Sequence, residues 1–188
     1  MTTAVATSTL TTGTWTADVA HSDVSFTVRH MGVGRVRGTF AINSATLYVG
    51  PTGLAEASAT AEIDATSVDT KQPQRDADVR SANFLDVDNH PTMTFLSTAV
   101  RAIDGDQFVL DGVLTIRGVT NVVELAVEFL GETVDLFDFT RAGFSATTTT
   151  ISRRAFGVRY DALFGAGNAV VADNVDITMD LEFIRQSD

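Results

Sequence analysis

Residues 21–40 read HSDVSFTVRHMGVGRVRGTF and carry the clearest β-strand pattern in the chain. Val24, Phe26 and Val28 alternate with polar side chains, and successive side chains of a strand point to opposite faces. The same alternation places His30 on the apolar face. A buried imidazole without hydrogen bonds costs about 1–3 kcal/mol. We therefore expect His30 to be either a satisfied core histidine or a ligand contact.

Strand-like runs rich in Val, Ile, Phe and Thr follow this stretch on both sides. They lie near residues 15–29, 36–49, 55–64, 92–101, 107–117, 120–130, 142–152 and 175–183. Only residues 71–83 have a helical pattern, with Pro73 suited to a first turn. Antiparallel strands with one wet face lose their free edges when they close into a barrel. The sequence therefore predicts an all-β, eight-stranded antiparallel barrel with one short helix.

Composition narrows the class of protein. The chain has 188 residues with 44% hydrophobic content, which suits one domain with a sizeable core. Its net charge of -11 argues against a nucleic-acid partner, because such binding depends on Lys and Arg. The chain contains no cysteine, which excludes disulfides, a thiol nucleophile and a cysteine zinc site.

The two ends of the chain differ in character. Residues 1–12 are mostly Thr, Ala and Ser, so we predict a disordered tail there and a domain over residues 13–188. The first residues lack a basic segment followed by an apolar one, and this predicts a cytoplasmic protein. No run approaches the roughly 20 apolar residues of a membrane span, so we do not expect an integral membrane protein.

The size of the inward side chains bears on what fills the barrel. Several of them are small: Gly38, Ala55, Ala57, Ala59, Ala61, Gly112 and Ala146. Small residues on several strands leave volume that opposing phenylalanines would have to fill. A glycine in a strand also commonly marks a bulge or a barrel corner. A packed interior and a ligand cavity both remain open on this evidence.

Several blocks in the chain resemble one known family. Trp15 and Asp18 precede HSDVSFTVRHMG, and VRGTF, IDATSVDTKQPQRDADVRSANFLDVDNHPTMTF, LDGVLTIRGVT and ISRRAFGV follow in order. Together they are similar to the YceI family over about residues 14–185. The resemblance implies an extended lipocalin-like barrel that holds a long polyisoprenoid lipid. It also makes a homodimer a candidate assembly.

On this basis we predict a non-catalytic protein that binds, transports or stores an isoprenoid-type lipid and needs no other cofactor. The predicted lining residues of the barrel are Phe26, Val28, His30, Phe40, Phe95, Leu114, Met179 and Phe183. Arg35 and Arg37 are candidate contacts for a lipid head group, and the alternative is that they form an ordinary solvated surface.

Catalytic motifs are weak throughout the chain. His21, His30 and His90 are too scattered for a helical zinc motif, so no metal site is predicted. The segment GFSAT lacks the final glycine of a nucleophile elbow and lies in a predicted strand. Two alternatives to lipid carriage remain: a fully packed barrel that serves as a protein interaction module, and, ranked below it, a hydrolase acting on lipid head groups.

Overall fold

The computed structural model describes residues 10–148, 151–165 and 167–187. Its long strands agree with the predicted runs, although most of them are longer than the residue ranges predicted from the sequence. The strands are β1 (Gly13–Ala17), β2 (Asp23–His30), β3 (Gly34–Gly50), β4 (Gly53–Asp69), β5 (Thr92–Asp104), β6 (Gln107–Ile116), β7 (Val119–Val134), β8 (Thr140–Thr148), β9 (Ile151–Ser152), β10 (Leu163–Phe164), β11 (Asn168–Ala169) and β12 (Val171–Arg185). The helices are α1 (Pro73–Arg80) and a 3₁₀ turn at Arg153–Phe156.

The long strands form a closed ring. Strands β2 to β8 pair in sequence order, β12 pairs with β2, and β12 also pairs with β8 through Thr178↔Thr147 and Ile184↔Arg141. Each of these pairings is antiparallel. Closure satisfies the backbone groups that an open sheet would leave at its edges. The predicted eight-stranded antiparallel barrel is confirmed.

The first predicted strand, residues 15–29, is in fact two strands. The β1 strand pairs with β3 and with the end of β12, while β2 lies between the same two strands further along the barrel. The break between them is a turn organised by Asp18, which accepts hydrogen bonds from Ala20 N and His21 Nδ1. The Ser22 hydroxyl also donates to the Asp18 carbonyl. Local side-chain bonding of this kind competes with the strand ladder.

The apolar core forms two clusters at opposite ends of the barrel. One surrounds Trp15, which is fully buried, and includes Phe129 and Phe144 with ring centroids 5.2 Å apart. The other surrounds Phe156 and contains Leu85 from the segment after the helix. Packed apolar side chains therefore lie toward both ends of the barrel.

The helix is shorter than the predicted 71–83. It begins after Gln72, whose side chain accepts a hydrogen bond from Arg75 N, and it ends before Ser81. Pro73 lies in the first turn, where its missing N–H has no cost. Asp76 is buried and accepts hydrogen bonds from the backbone N and hydroxyl of Thr70, which fixes the helix to the end of β4. Within the described ranges, no helix is long and apolar enough to cross a membrane.

The predicted tail is partly ordered. Leu10 is buried in the first cluster, and Thr11 donates from its backbone N and hydroxyl to the Glu132 carboxylate. Thr11 also accepts a hydrogen bond from the Trp15 indole through its carbonyl. Residues 10–12 therefore lie against the barrel, which corrects the boundary placed after residue 12. The rest of the predicted tail, residues 1–9, lies outside the described residues.

Candidate functional site

A cavity of about 400 Å³ lies inside the barrel. Its wall includes every predicted lining residue: Phe26, Val28, His30, Phe40, Phe95, Leu114, Met179 and Phe183. On β12 the lining runs from Val171 to Phe183, a distance of about 40 Å along the strand at 3.3 Å per residue. The volume falls within the range of about 300–1,000 Å³ typical of ligand pockets. The barrel is thus not filled by its own side chains.

Some of the inward side chains along this cavity keep part of their surface uncovered. Phe26, Val28 and Phe40 point to the interior and yet are only half-buried. Trp15 and Phe129, which lie outside the lining, are 0% and 2% exposed. Other lining residues, such as Phe144 and Phe183 at 4% exposed, are covered by their neighbours, so the uncovered surface is confined to part of the wall. A continuous apolar wall of this kind suits an apolar ligand.

The small inward residues have two different effects. A Cβ on Gly38 would lie 2.6 Å from the Phe26 ring, and one on Gly112 would lie 2.4 Å from the Phe95 ring. The two phenylalanines therefore already occupy the space beside these glycines. Along β4, by contrast, the lining includes the small side chains Ala57, Ala59 and Ala61. The open volume depends on these alanines, whereas the glycines allow aromatic rings to lie flat against the wall.

His30 lies on the cavity wall near the β2–β3 turn. Its register partners are Gly34 on β3 and Val171 on β12, and the residue is half-buried. Within the part of the chain that the structure describes, its imidazole has no hydrogen-bond partner. This position on the wall is compatible with the expectation of a ligand contact, and the choice between that role and a satisfied core histidine stays a prediction. A ring nitrogen on an apolar wall offers a polar contact to a ligand.

The helix and the segment between β4 and the helix supply polar groups that the sequence analysis did not place in the cavity. Thr70, Arg75 and Asp78 contribute to the wall. Arg75 donates from Nε to the Thr70 hydroxyl and from one terminal nitrogen to the Thr70 carbonyl, which fixes its side chain across the end of β4. Strand periodicity cannot assign an inward direction to residues of a helix, so these contacts were not predictable from the alternation.

Arg153 is a second polar group that the sequence analysis missed. It is 6% exposed and lines the cavity, and its guanidinium donates to the backbone carbonyls of Val158, Tyr160, Val171 and Ala172. Burial lowers the pKa of this guanidinium. These bonds connect the segment after the 3₁₀ turn to β12. Arg153 therefore places a buried cation at the cavity while holding its wall together.

Two aromatic rings cover the same end of the cavity. Phe84 and Tyr160 stack with ring centroids 4.6 Å apart and an interplanar angle of 21°, and both belong to the lining. Arg117 supports this contact from outside by donating to the Phe84 carbonyl. The end near the helix is therefore bounded by side chains on short segments, whose arrangement is less constrained than that of the barrel strands.

Arg35 and Arg37 do not line the cavity. In the β2–β3 register Arg35 pairs with Arg29 and Arg37 pairs with Thr27, whereas the inward pairs are Val28↔Val36 and Phe26↔Gly38. Both arginines are exposed. Their alternation with inward residues therefore places them on the outer face. Head-group contact by Arg35 and Arg37 from within the barrel is not supported.

An ionic cluster lies near the opposite end of the barrel. Arg141 donates to Asp18, Asp135 and Glu182 at 2.7, 2.6 and 2.5 Å. Hydrogen bonds from Arg141 and then from His21 lower the pKa of Asp18 to about 2. Asp18, His21 and Glu182 place potential metal-ligand atoms within 4.8 Å of one another, but Arg141 already pairs both carboxylates. The cluster joins three segments of the chain at this end of the barrel.

A closed antiparallel barrel with an apolar cavity defines this protein as a barrel of the ligand-binding type. Comparison with known proteins identifies the family: residues 15–183 match the YceI-like domain. A UPF0312 protein of Azotobacter vinelandii and protein YceI of Escherichia coli O157:H7 are each 32% identical over 166 residues, which cover 88% of this chain and 83% of theirs. The chain belongs to the YceI-like family.

Solved structures share the same architecture. BcnA of Burkholderia cenocepacia is 27% identical with a TM-score of 0.74, and the match covers 88% of this chain and 98% of that one. A Saccharophagus degradans domain described as polyisoprenoid-binding has a TM-score of 0.65, with coverage of 92% and 98%. At 13% identity, the second likeness demonstrates a common fold only. Family and fold together support a binding role.

Proposed function

We propose that this protein binds a long isoprenoid-type lipid inside its barrel and thereby carries or stores it without chemical conversion. The observation that carries the proposal is the cavity of about 400 Å³ with an almost wholly apolar wall. The family resemblance and the polyisoprenoid-binding description of the Saccharophagus degradans domain support the same class of ligand.

The energetics favour an apolar guest. An apolar wall without a guest lacks the dispersion contacts that a buried chain would supply, so a volume of about 400 Å³ favours an apolar ligand. Each CH₂ group of a guest buried there contributes about 0.8 kcal/mol. Burial alone can thus supply the binding energy, and the protein should discriminate only weakly between lipid chains of different length.

The polar groups at one end of the cavity would fix the orientation of a bound lipid. His30, Arg75 and Arg153 lie on the wall there, with Asp78 as the acidic member. A lipid with a polar or anionic head group would place that group near these side chains and its chain among the phenylalanines. Charged donors make stronger hydrogen bonds than neutral ones, so this end discriminates between head groups more than the apolar wall discriminates between chains.

The alternative of a fully packed barrel that serves as a protein interaction module does not agree with the open volume in the interior. The hydrolase alternative has no convergent nucleophile and base in its favour among the described lining residues. It predicts turnover, so incubation of the purified protein with prenyl phosphates and lipid esters, followed by product analysis, tests it directly. We expect both substrates to remain intact.

The test of lipid carriage is extraction of the purified protein with organic solvent, followed by mass spectrometry. We expect a prenyl lipid in stoichiometric amount. Phe26→Arg introduces a charge into the apolar wall and should abolish recovery of the lipid, although it also destabilises the fold. The matched control Thr27→Arg changes the next residue of the same strand, whose side chain lies on the outer face.

The result that would contradict the proposal is a protein that yields no lipid and takes up none when offered prenyl chains of several lengths. Loss of lipid in Thr27→Arg as well as in Phe26→Arg would also count against the interior as the binding site. Circular dichroism of both variants separates loss of binding from loss of folding.

A further inference from the structure

The β2–β3 turn projects apolar side chains from one end of the barrel. Val33 is 96% exposed and Met31 is 38% exposed. Met31 and Gly32 have positive φ angles, and Val33 N donates to the His30 carbonyl, which together make a tight hairpin turn of the type that matches strand twist. Met31 N also donates to the Val170 carbonyl, so the turn is held against the neighbouring segment. The apolar tip is therefore a fixed feature of the surface.

Arg29 and Arg35 lie next to this tip, and Arg37 lies two residues further along β3; by strand alternation all three side chains belong to the outer face, although Arg29 also borders the cavity. Arg29, Arg35 and Arg37 are exposed, and none of them forms an ion pair with another described residue. Arg101 and Arg154, by contrast, are paired with carboxylates. Three unpaired cations on one hairpin are unexpected in a chain with a net charge of -11. They form a local positive patch that is available to an external anionic partner.

The patch has an acidic border. Asp173 and Asp176 lie along the groove that contains Arg29 and Arg35. Asp173 is occupied by hydrogen bonds from the Ser152 hydroxyl and from Arg154 N. Asp176 pairs with Thr27, two residues further from the turn than Arg29. Arg37 also pairs with Thr27 and is level with Asp176, whereas Arg29 and Arg35 lie nearer the apolar tip.

The tip also adjoins the cavity. His30 and Val36, which flank the turn, lie on the cavity wall, as does Val170 beside them. A lipid that leaves a bilayer at this hairpin would enter the cavity at its polar end. The β7–β8 loop also exposes apolar side chains, among them Leu136 and Phe137, but it lies beside Asp135, which pairs with Arg141, and among the residues that the structure describes it has no exposed arginine patch of this kind.

We propose that the β2–β3 hairpin, residues 29–37, docks on a membrane surface that carries anionic lipid head groups. Met31 and Val33 enter the interface between head groups and acyl chains, while Arg29, Arg35 and Arg37 contact the anionic head groups. Exposed apolar residues flanked by cations are the combination that binds such interfaces. The inference rests on the proposed lipid-binding function, because docking brings the cavity to the source of its ligand.

The test is co-sedimentation of the full chain with phosphatidylcholine vesicles, with and without phosphatidylglycerol. We expect binding only to the anionic vesicles, with an affinity that falls as salt is added. Val33→Asp should weaken binding by about tenfold or more, because it removes the apolar contact and adds a like charge. Arg35→Gln and Arg37→Gln should each weaken binding about fivefold, since a basic residue near such a surface contributes about that factor.

Matched controls come from the same chain. Leu136→Asp makes the same kind of change at a side chain that is 98% exposed, and Arg101→Gln removes one charge near the other end of the barrel. Both should bind vesicles like the parent protein. Equal losses in the controls, or parent-like binding by Val33→Asp and Arg35→Gln, would overturn the proposal. Displacement by inorganic phosphate at constant ionic strength would assign the arginines to a small anion and would overturn it too.

Failure of docking and failure of lipid carriage give different results. Val33→Asp should still yield the same prenyl lipid on extraction, because its side chain lies outside the cavity. Vesicle binding by a protein that contains no extractable lipid and takes up none would reject the proposed function while leaving docking intact. Lipid recovery without any vesicle binding would reject docking alone.

Discussion

Reducing the cavity volume is the most direct perturbation of this protein. Ala59 and Ala61 lie on the cavity wall in β4, where their register partners are Leu47 and Ala45 on β3. The double replacement Ala59→Leu with Ala61→Leu adds six carbon atoms to the interior. At about 0.8 kcal/mol per buried carbon, these displace ligand contacts worth about 5 kcal/mol. The affinity for a prenyl lipid should therefore fall by about three orders of magnitude.

The same substitution should stabilise the lipid-free protein. The added carbons fill open volume, and after about 0.5–1 kcal/mol of rotamer entropy per leucine the gain is roughly 3–4 kcal/mol. Urea unfolding of delipidated protein measures this gain as a shift of the midpoint at constant slope. Lipid titration measures the affinity. Opposite signs of the two effects distinguish a filled cavity from a damaged fold.

The control is Thr60→Leu, which places the same side chain on the exposed face of the same strand. It should change neither the lipid affinity nor the unfolding midpoint by a comparable amount. Parent-like lipid binding by the double variant would refute the reasoning, because it would mean that the ligand does not occupy the volume beside β4. A large loss of stability would mean that the alanines are already closely packed.

Three further predictions concern other parts of the molecule. Arg141→Ala should raise the pKa of Asp18 from about 2 toward 3.8, read by NMR titration, and should reduce the stability that the native protein holds above pH 4 and loses as the pH falls toward 2. Gly38→Ala should lower the free energy of unfolding, measured by urea denaturation, by about 1–3 kcal/mol because the new Cβ meets the Phe26 ring, and Phe26→Leu in the same chain should restore part of it. His30→Gln should leave the melting temperature near that of the parent and alter the order of affinities for prenyl alcohols, phosphates and quinones; an unchanged order would remove His30 from ligand recognition.

Strand alternation was sufficient to predict the barrel and the inward direction of its apolar strand residues. Val24, Phe26 and Val28 repeat every two residues, and the period directly encodes which face each side chain occupies. The same rule correctly placed Met179 and Phe183 on the wall. Two local features could not be predicted from this alternation. The turn at Asp18 interrupts the first strand through side-chain hydrogen bonds, and residues 10–12 pack against the barrel through contacts with residues distant in sequence.

The polar residues of the cavity could not be predicted in the same way. Arg75 and Asp78 reach the cavity from a helix, and Arg153 reaches it from a 3₁₀ turn. Their direction depends on how those segments dock on the barrel, which no local period specifies. Arg35 and Arg37 were proposed for the head group because of their charge, but their register with Arg29 and Thr27 places them outside.

The sequence alone determined that this chain closes into an antiparallel barrel with an apolar interior face, because residue alternation and turn chemistry act locally. Only the tertiary structure decided whether that interior is packed or open. The answer depends on the distance between opposite walls and on which rings cover which small residues, as Phe26 covers Gly38 while the alanines of β4 border open volume. Both quantities arise from contacts between strands far apart in sequence.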